Sequence, residues 1–338
     1  MPAYFAASCR GKESVALDLK SEEGSQRLEN LLAQADVLVE NYRPGVLEKL
    51  GFGWERLHQA YPRLIVCSIS GYGQGGPYDN RPAMDTIAQA MSGLMSVTGF
   101  PDQEPHGYGA NSGDVITGIH ATVGIQAALL SRGTDGEGRY IDIAMVDCNL
   151  VLMSHFLSTY ADTGEHAPRA GGSYYRTAPF GIFKCGDGSF MAIVAFNGKD
   201  FPLLCGILGT EHLLEDPRFK AGPAGLGWRE HDVLGSSTVY FEEFRAELER
   251  ALAEKPRDEW LELLRAAELG CSPVNTIEEV LHDPQLRHRK MICTVPDAGH
   301  DGKHFTVIGN PIKISGFEDS NVRHAVAAHN QHASNAML

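Results

Sequence analysis

Leu64-Ile-Val-Cys-Ser-Ile69, followed by Ser70 and then by Gly71-Tyr-Gly-Gln-Gly-Gly-Pro77, is the stretch on which the fold turns. A short, nearly continuous apolar run stopped by a glycine-rich loop reads as a buried strand. Upstream, Val15-Ala-Leu-Asp-Leu19 is strand-like. Leu28, Leu31, Leu32 and Ala35 then recur at helical spacing, and Val37-Leu-Val39 is another short apolar run. Downstream, Met84, Ile87, Ala88, Met91, Leu94 and Met95 mark one apolar helical face. Val115, Ile119, Val123, Ala127 and Leu130 mark a second. Gly133 to Gly138 reads as a turn and Tyr140-Ile-Asp-Ile-Ala-Met-Val146 as a strand, with a helix through Leu150, Met153 and Leu157 after it. Strand-then-helix order repeated in this way predicts an α/β fold with a mostly parallel sheet.

Around residues 161–179 the chain turns polar and rich in Gly and Pro, as at a domain crossing. Phe183 to Phe196 predicts a hairpin turning at Gly186-Asp-Gly188. Asp258 to Leu269 is helical, and Thr276-Ile-Glu-Glu279 has the form of a capping box. Residues 325–338 are weakly periodic and read as a tail. No internal repeat is found. The expected organisation is a large domain over 1–178, a small domain over 179–304, and a return to the large domain with a tail over 305–338.

A length of 338 residues exceeds the usual single core and makes two domains the expectation. The net charge of −14 argues against a nucleic-acid binder, which would carry a basic surface. No stretch reaches the ~20 apolar residues of a membrane span, and the first residues lack the pattern of a secretory signal. The 7 cysteines include no Cys-x-x-Cys pair. That spacing argues against a zinc cluster or disulfide framework and fits a reducing cytoplasm.

Several motifs invite a chemical reading. The Gly71–Pro77 loop could cradle a phosphate on its backbone N–H groups. It lacks the Gly-Lys-Ser/Thr of a Walker loop, so a plain turn is the simpler reading. Ser70 follows a strand as a hydrolase nucleophile would, but Ser68 stands where the nucleophile elbow needs glycine. Cys148 and His155 could share a helix face as a dyad, or be two ordinary helix residues. His282, His288 and His300 lack metal spacing and sit among polar residues. Asp114, in Asn111-Ser-Gly-Asp-Val-Ile-Thr-Gly118, precedes a long apolar helix and reads as an N-cap. A carboxylate at a helix N-terminus is also fixed and kept ionised by the dipole, which suits a nucleophile. Asp85, in Arg81-Pro-Ala-Met-Asp-Thr86, is a second candidate or another helix-start residue. Asp142 and Asp147 fit a strand and a helix start.

Gly11-Lys-Glu-Ser-Val-Ala-Leu-Asp-Leu-Lys20 and Ala35-Asp-Val-Leu-Val-Glu-Asn-Tyr-Arg-Pro-Gly45 resemble the opening blocks of the family III CoA-transferases, the formyl-CoA and carnitine CoA-transferase group. The likeness continues in order through Leu50-Gly-Phe52, Ser68–Pro77, Gln89–Gly99, Gly113-Asp114, Gly136–Gly138, Ala178–Gly181, Pro273-Val-Asn275 and Gly309–Ile312. It implies a Rossmann-like large domain, a smaller α+β domain and an interlocked homodimer. It implies transfer of CoA from an acyl-CoA to a small carboxylic acid, with CoA as substrate and no metal or redox cofactor, nucleic acid or membrane partner. Asp114 matches the family's catalytic aspartate, which carries an aspartyl-CoA thioester, and Asp85 matches an acidic position near it. Lys20, Asn41, Tyr42, Arg43, Lys49 and Leu50 match blocks that contact CoA. Lys49 stands where some members use Arg, keeping charge but not bidentate geometry. Glycine-rich loops would stabilise oxyanions. The related α-methylacyl-CoA racemases resemble this chain but carry His-Asp where Met84-Asp85 stands, and methionine cannot move a proton. Family members carry a strand–helix–strand segment before the block at Lys12. The expectation is that this segment is missing here, which leaves a catalytically impaired CoA-binding paralogue as an alternative. The family's late Gly-Glu-His block has only a faint echo in Ala328-His-Asn330.

Overall fold

A computed structural model describes residues 3–174, 177–195, 199–217, 241–296, 304–317, 327 and 331–332. The first half contains α1 (Ala3–Cys9), α2 (Glu22–Leu32), β1 (Val37–Glu40), α3 (Val46–Lys49), α4 (Trp54–Ala60), β2 (Ile65–Ser70), α5 (Asp85–Met91), α6 (Ser112–Asp135), β3 (Tyr140–Ala144), α7 (Met145–Val151) and α8 (Ser154–Thr163). The second contains β4 (Ser173–Tyr174), β5 (Thr177–Lys184), β6 (Phe190–Val194), α9 (Asp200–Leu208), α10 (His212–Glu215), α11 (Phe241–Leu252), α12 (Arg257–Ala266), β7 (Gly270–Pro273), α13 (Ile277–His282), α14 (Pro284–His288), β8 (Ile292–Pro296) and β9 (His304–Ile308). Contacts divide the chain into two units: 1–80 with 119–143 and 275–338, and 81–118 with 144–274.

The first unit holds a three-stranded sheet in the order β1-β2-β3. β1 and β2 run parallel, from Val37 opposite Ile65 to Glu40 opposite Ser68. Ile65, Val66 and Cys67 are fully buried, which explains why β2 reads as a continuous apolar run and not as an alternation. Leu32, Phe52, Leu57, Leu64 and Val66 form the core on this sheet. A separate antiparallel hairpin, β8–β9, packs Val295 and Val307 on Ala6 of α1. The second unit holds the sheet β4-β5-β6-β7. Helices α9, α11 and α12 bury Phe201, Leu204, Phe244, Leu248, Trp260 and Leu264 among its side chains. The Trp260 indole is buried and donates to the Leu252 carbonyl at 2.8 Å.

The mixed α/β architecture, the parallel pairing, the hairpin and the capping box are all present. Thr276 accepts from the Glu279 N–H while the Glu279 carboxylate accepts from the Thr276 N–H. The hairpin turns after Lys184 pairs with Phe190, with the Cys185 N–H donating to Ser189. Other expectations need correction. Val15–Leu19 forms no strand; just before it, the Ser14 N–H donates to His332 Nδ1 and the Ser14 carbonyl accepts the His332 N–H. The helix expected from Met84 to Met95 stops at Met91, because Gly93 takes φ +83° and starts a 3₁₀ turn over Leu94–Val97. The turn expected from Gly133 begins later, since α6 runs through Gly133 to Asp135. The strand through Val146 ends at Ala144, and the following helix is two, broken at Leu152 and Met153. His300 and Ala328-His-Asn330 lie outside the described residues.

α6 holds no run of ~20 apolar residues but meets a measure of length and mean hydropathy for a bilayer span. It has 24 residues and an 18-residue window of mean hydropathy 1.2, and it alone among the described helices meets those two measures. A core helix of a soluble protein meets them as readily. Its apolar face is not covered by the chain: Val115, Ile119, Val123 and Leu130 are 60%, 54%, 58% and 78% exposed. Met84 and Met91 of the neighbouring segment are exposed as well.

All seven cysteines are free thiols; Cys67, Cys148, Cys185, Cys205 and Cys293 are buried, and Cys9 and Cys271 are partly so. Burial pushes the thiols of Cys67, Cys185 and Cys205 up to about 11. It raises Cys148 and Cys271 too.

Candidate active site

Two helix starts meet in the second unit. α5 begins at Asp85, with Met84 as its extended N-cap residue. α6 begins at Ser112, so Asp114 lies inside its first turn and is not the N-cap the sequence suggests. The first backbone bond of the helix ladder is Val115 N–H to Asn111 O at 3.0 Å, which leaves the Asp114 N–H without a helical partner. Asp85 supplies one: its Oδ1 accepts the Asp114 N–H at 3.1 Å. The capping carboxylate therefore comes from another helix.

Gln89 holds Asp85 in place. It is one helical turn along α5 and 2% exposed. Its Nε2 donates to Asp85 Oδ2 at 2.5 Å, and its Oε1 accepts the Tyr108 N–H at 2.9 Å. One side chain thus ties Asp85 to the loop that leads into α6. Asn149 of α7 closes the other side. It is wholly buried, its Nδ2 donates to the Met145 carbonyl at 2.8 Å, and its Oδ1 has no partner among the described residues. Gly113 separates these groups: a Cβ there would stand 2.8 Å from Asp85 Oδ1 and 3.0 Å from Asn149 Nδ2.

The Asp114 side chain faces solvent at one edge of this cluster. Partial burial raises its pKa above that of an ordinary aspartate, and the Asp85 charge adds to the rise. A carboxylate with a raised pKa is more basic and a better oxygen nucleophile than an isolated aspartate.

The other residues singled out in the sequence divide clearly. Lys20, Asn41, Tyr42, Arg43 and Lys49 are exposed in the first unit, and Leu50 is half-buried against its core. Asn41 to Arg43 follow β1 directly, and Glu40 accepts the Tyr42 N–H at 2.8 Å. The side chains of Lys20, Arg43 and Lys49 enter no ion pair among the described residues. Beside this segment opens a cavity of about 450 Å³, lined by Glu40, Gly45, Phe52, Trp54, Ser68 and Tyr140 among others. Glu48, Glu55 and Arg56 also line it. Lys20, Asn41, Tyr42, Arg43, Lys49 and Leu50 do not line it.

Ser70 is buried and its Oγ accepts the Gly73 N–H at 2.9 Å, a turn contact that excludes it as an open nucleophile. Asp142 Oδ2 accepts the Gln74 N–H at 3.0 Å and so anchors the glycine-rich loop. Cys148 and His155 sit on different helices, because α7 ends between them. His282 and His288 are exposed, and no metal-binding group occurs among the described residues. Gln89 and Asn149 escaped the sequence reading. The one available signal for Gln89 is its spacing of four from Asp85, which puts both on one helix face.

Comparison with known proteins fits this geometry. Residues 1–333 match the family described as CoA-transferase family III. The chain is 37% identical over 321 residues to the acetyl-CoA:oxalate CoA-transferase of Acetobacter aceti, covering 95% of this chain and 77% of that one. It is 34% identical over 316 residues to the succinate–glutarate CoA-transferase of Agrobacterium fabrum, covering 93% and 74%. The crystal structure of a CaiB/BaiF family protein from Brucella suis matches with a TM-score of 0.82 at 31% identity, over 99% of this chain and 83% of that one. The fold is therefore of the CoA-transferase class. The chain belongs to CoA-transferase family III.

Gly113→Ala is expected to displace Asp85 or Asn149 and to cost about 1–3 kcal/mol of stability, the usual range for overpacking. Urea unfolding followed by circular dichroism measures this. An unchanged midpoint would mean that the two side chains yield freely.

Proposed function

We propose that the protein transfers CoA from an acyl-CoA to a small carboxylic acid through Asp114. The observation that carries this reading is the Asp114 carboxylate in the first turn of α6, with its own N–H held by Asp85. Family membership supports the reaction class. The names of the relatives, with oxalate, succinate and glutarate, support small acids as partners.

The chemistry balances without a further reagent. An Asp114 carboxylate oxygen attacks the thioester carbonyl, forming an aspartyl–acyl anhydride and breaking the C–S bond to release CoA thiolate. The thiolate adds to the aspartyl carbonyl, giving aspartyl-CoA and expelling the donor carboxylate. The acceptor carboxylate attacks this thioester, forming a second anhydride and releasing thiolate. Thiolate attack on the acceptor's acyl carbon then yields the new acyl-CoA and frees Asp114. Asp85 keeps the nucleophile oriented and basic. Lys20, Arg43 and Lys49 are positioned to meet CoA phosphates, and Tyr42 to pack near the adenine, with Asn41 and Leu50 completing that surface. Racemisation is not favoured, because Met84 offers no base and the relatives named above are transferases.

Mixing enzyme with acyl-CoA and hydroxylamine should leave a hydroxamate on Asp114, detected by mass spectrometry. Asp114→Ala should lower transfer by at least ~10³-fold, in line with loss of a covalent nucleophile. Full activity in that variant would overturn the mechanism.

The pH dependence follows from the raised pKa. Attack needs ionised Asp114, so the rate should fall on acidification through a pKa above that of an ordinary aspartate. Asp85→Asn keeps an oxygen for the Asp114 N–H but removes the charge. The acid limb of kcat should then move to lower pH; a limb that stays in place removes Asp85 as the electrostatic cause.

We also propose a homodimer, supported by the uncovered apolar stripe of α6 and by Met84 and Met91. A stripe this long is otherwise costly to leave in water. Light scattering should give twice the chain mass, and a monomer at micromolar concentration would contradict it.

A further inference from the structure

The strongest unexplained feature of the first unit is a basic cleft at the end of α14. It has a volume of about 280 Å³ and is lined by Gln285, His288, Arg289, Lys290 and Lys313. Among the described residues no acidic one lines it, in a chain whose net charge is −14. Arg287, the neighbouring cation, is already engaged: its Nε donates to the Leu281 carbonyl at 2.9 Å and its terminal nitrogen contacts His282. Arg289 and Lys290, by contrast, direct no side-chain bond to any described residue.

The backbone beneath these cations is fixed. Arg289 and Lys290 N–H groups donate to Gln285 and Arg287 carbonyls, both at 2.9 Å, and the Met291 N–H donates to Leu286 at 2.9 Å. Lys290 has φ +55°, a conformation that lysine adopts at a cost and glycine without one. The hairpin end locks it there. The Gly309 N–H donates to the Met291 carbonyl at 2.7 Å, and a Cβ on Gly309 would collide with the Lys290 carbonyl at 2.0 Å. The Arg289, Lys290 and Met291 bonds are those of a helix C-cap, with Lys290 as its left-handed residue, and the cap sets Arg289 and Lys290 side by side at one cleft. Drug-sized ligands fill roughly 300–1,000 Å³, so this space suits a small group. It has no wall of Phe, Tyr or Trp on which a nucleobase could stack. An arginine fork, ammonium groups and a glutamine amide are donors suited to phosphate oxygens.

We propose that this cleft binds a phosphate-type oxyanion, separately from the residues assigned above to CoA. The anion is either free, as inorganic phosphate or diphosphate, or is the phosphate end of a larger molecule such as CoA. Calorimetry on the full chain at low salt, with diphosphate as the probe, tests it. Binding to the wild type should weaken at least tenfold in Arg289→Gln/Lys290→Gly. Glycine relieves the positive φ, so this variant should fold at least as well as the parent, which circular dichroism checks. The single change Arg289→Gln, which leaves the backbone untouched, should show a smaller loss in the same direction. Titration with CoA in the same variants assigns the source. A parallel loss of CoA affinity makes its phosphates the occupant; unchanged CoA affinity with lost diphosphate binding makes the occupant a free anion. Absence of diphosphate binding to the wild type, or equal binding to the double variant, overturns the proposal. Neither result touches hydroxamate formation at Asp114, so the two readings fail independently.

Discussion

One hydrogen bond organises the second unit: Asp85 Oδ1 accepting the N–H of Asp114. Helix starts expose backbone donors that need partners. Here the partner is a carboxylate from a different helix, so the first turn of α6 and the head of α5 are held in one geometry. Gln89 gives Asp85 its second bond, and the same amide reaches the backbone at Tyr108. The absence of a side chain at Gly113 makes the close approach possible. The cluster couples local helix chemistry to reactivity, because the contact that completes the helix also sets one negative charge beside another.

The first unit obeys a different constraint. Its sheet buries β2, so β2 must be apolar on both faces, and polar function is pushed to the strand ends. Asn41 to Arg43 lie just beyond β1, and the glycine-rich loop just beyond β2. Open α/β sheets place ligand sites at such carboxyl ends. Asp142 fixes the glycine-rich loop through Gln74, and Ser70 bends its start through Gly73. Ser70, which follows a strand as a hydrolase nucleophile would, is thus a structural support, as Asp142 is.

What could be read from sequence follows the range of the forces involved. The β5–β6 hairpin and the Thr276 capping box are made by residues within a few positions of each other, and both were legible. So was β2, whose burial shows as a nearly continuous apolar run. Val15–Leu19 has strand-like residues, but a strand also needs a neighbour to pair with, which local pattern cannot supply. The break at Gly93 and the extension of α6 through Gly133 show glycine acting in opposite ways, decided by φ in one case and by helix continuation in the other. Asp114 and Asp85 were singled out as helix-start carboxylates and then by family likeness; their mutual contact was not legible, because it joins positions 29 apart. Asn149 carried no local signal at all. The apolar face of α6 was identified correctly as a face, yet within a single chain it faces water.

The buried thiols have a practical meaning for the assay bench. A disulfide reagent reacts with thiolate, and a thiol whose pKa is about 11 supplies almost none at neutral pH. With five of the seven cysteines out of contact with solvent, only Cys9 and Cys271 are partly open to such a reagent. Free CoA, small and fully accessible, would react ahead of the protein. Colour developed with a chromogenic disulfide would therefore report CoA released by hydrolysis of the thioester, against a low background from the polypeptide itself.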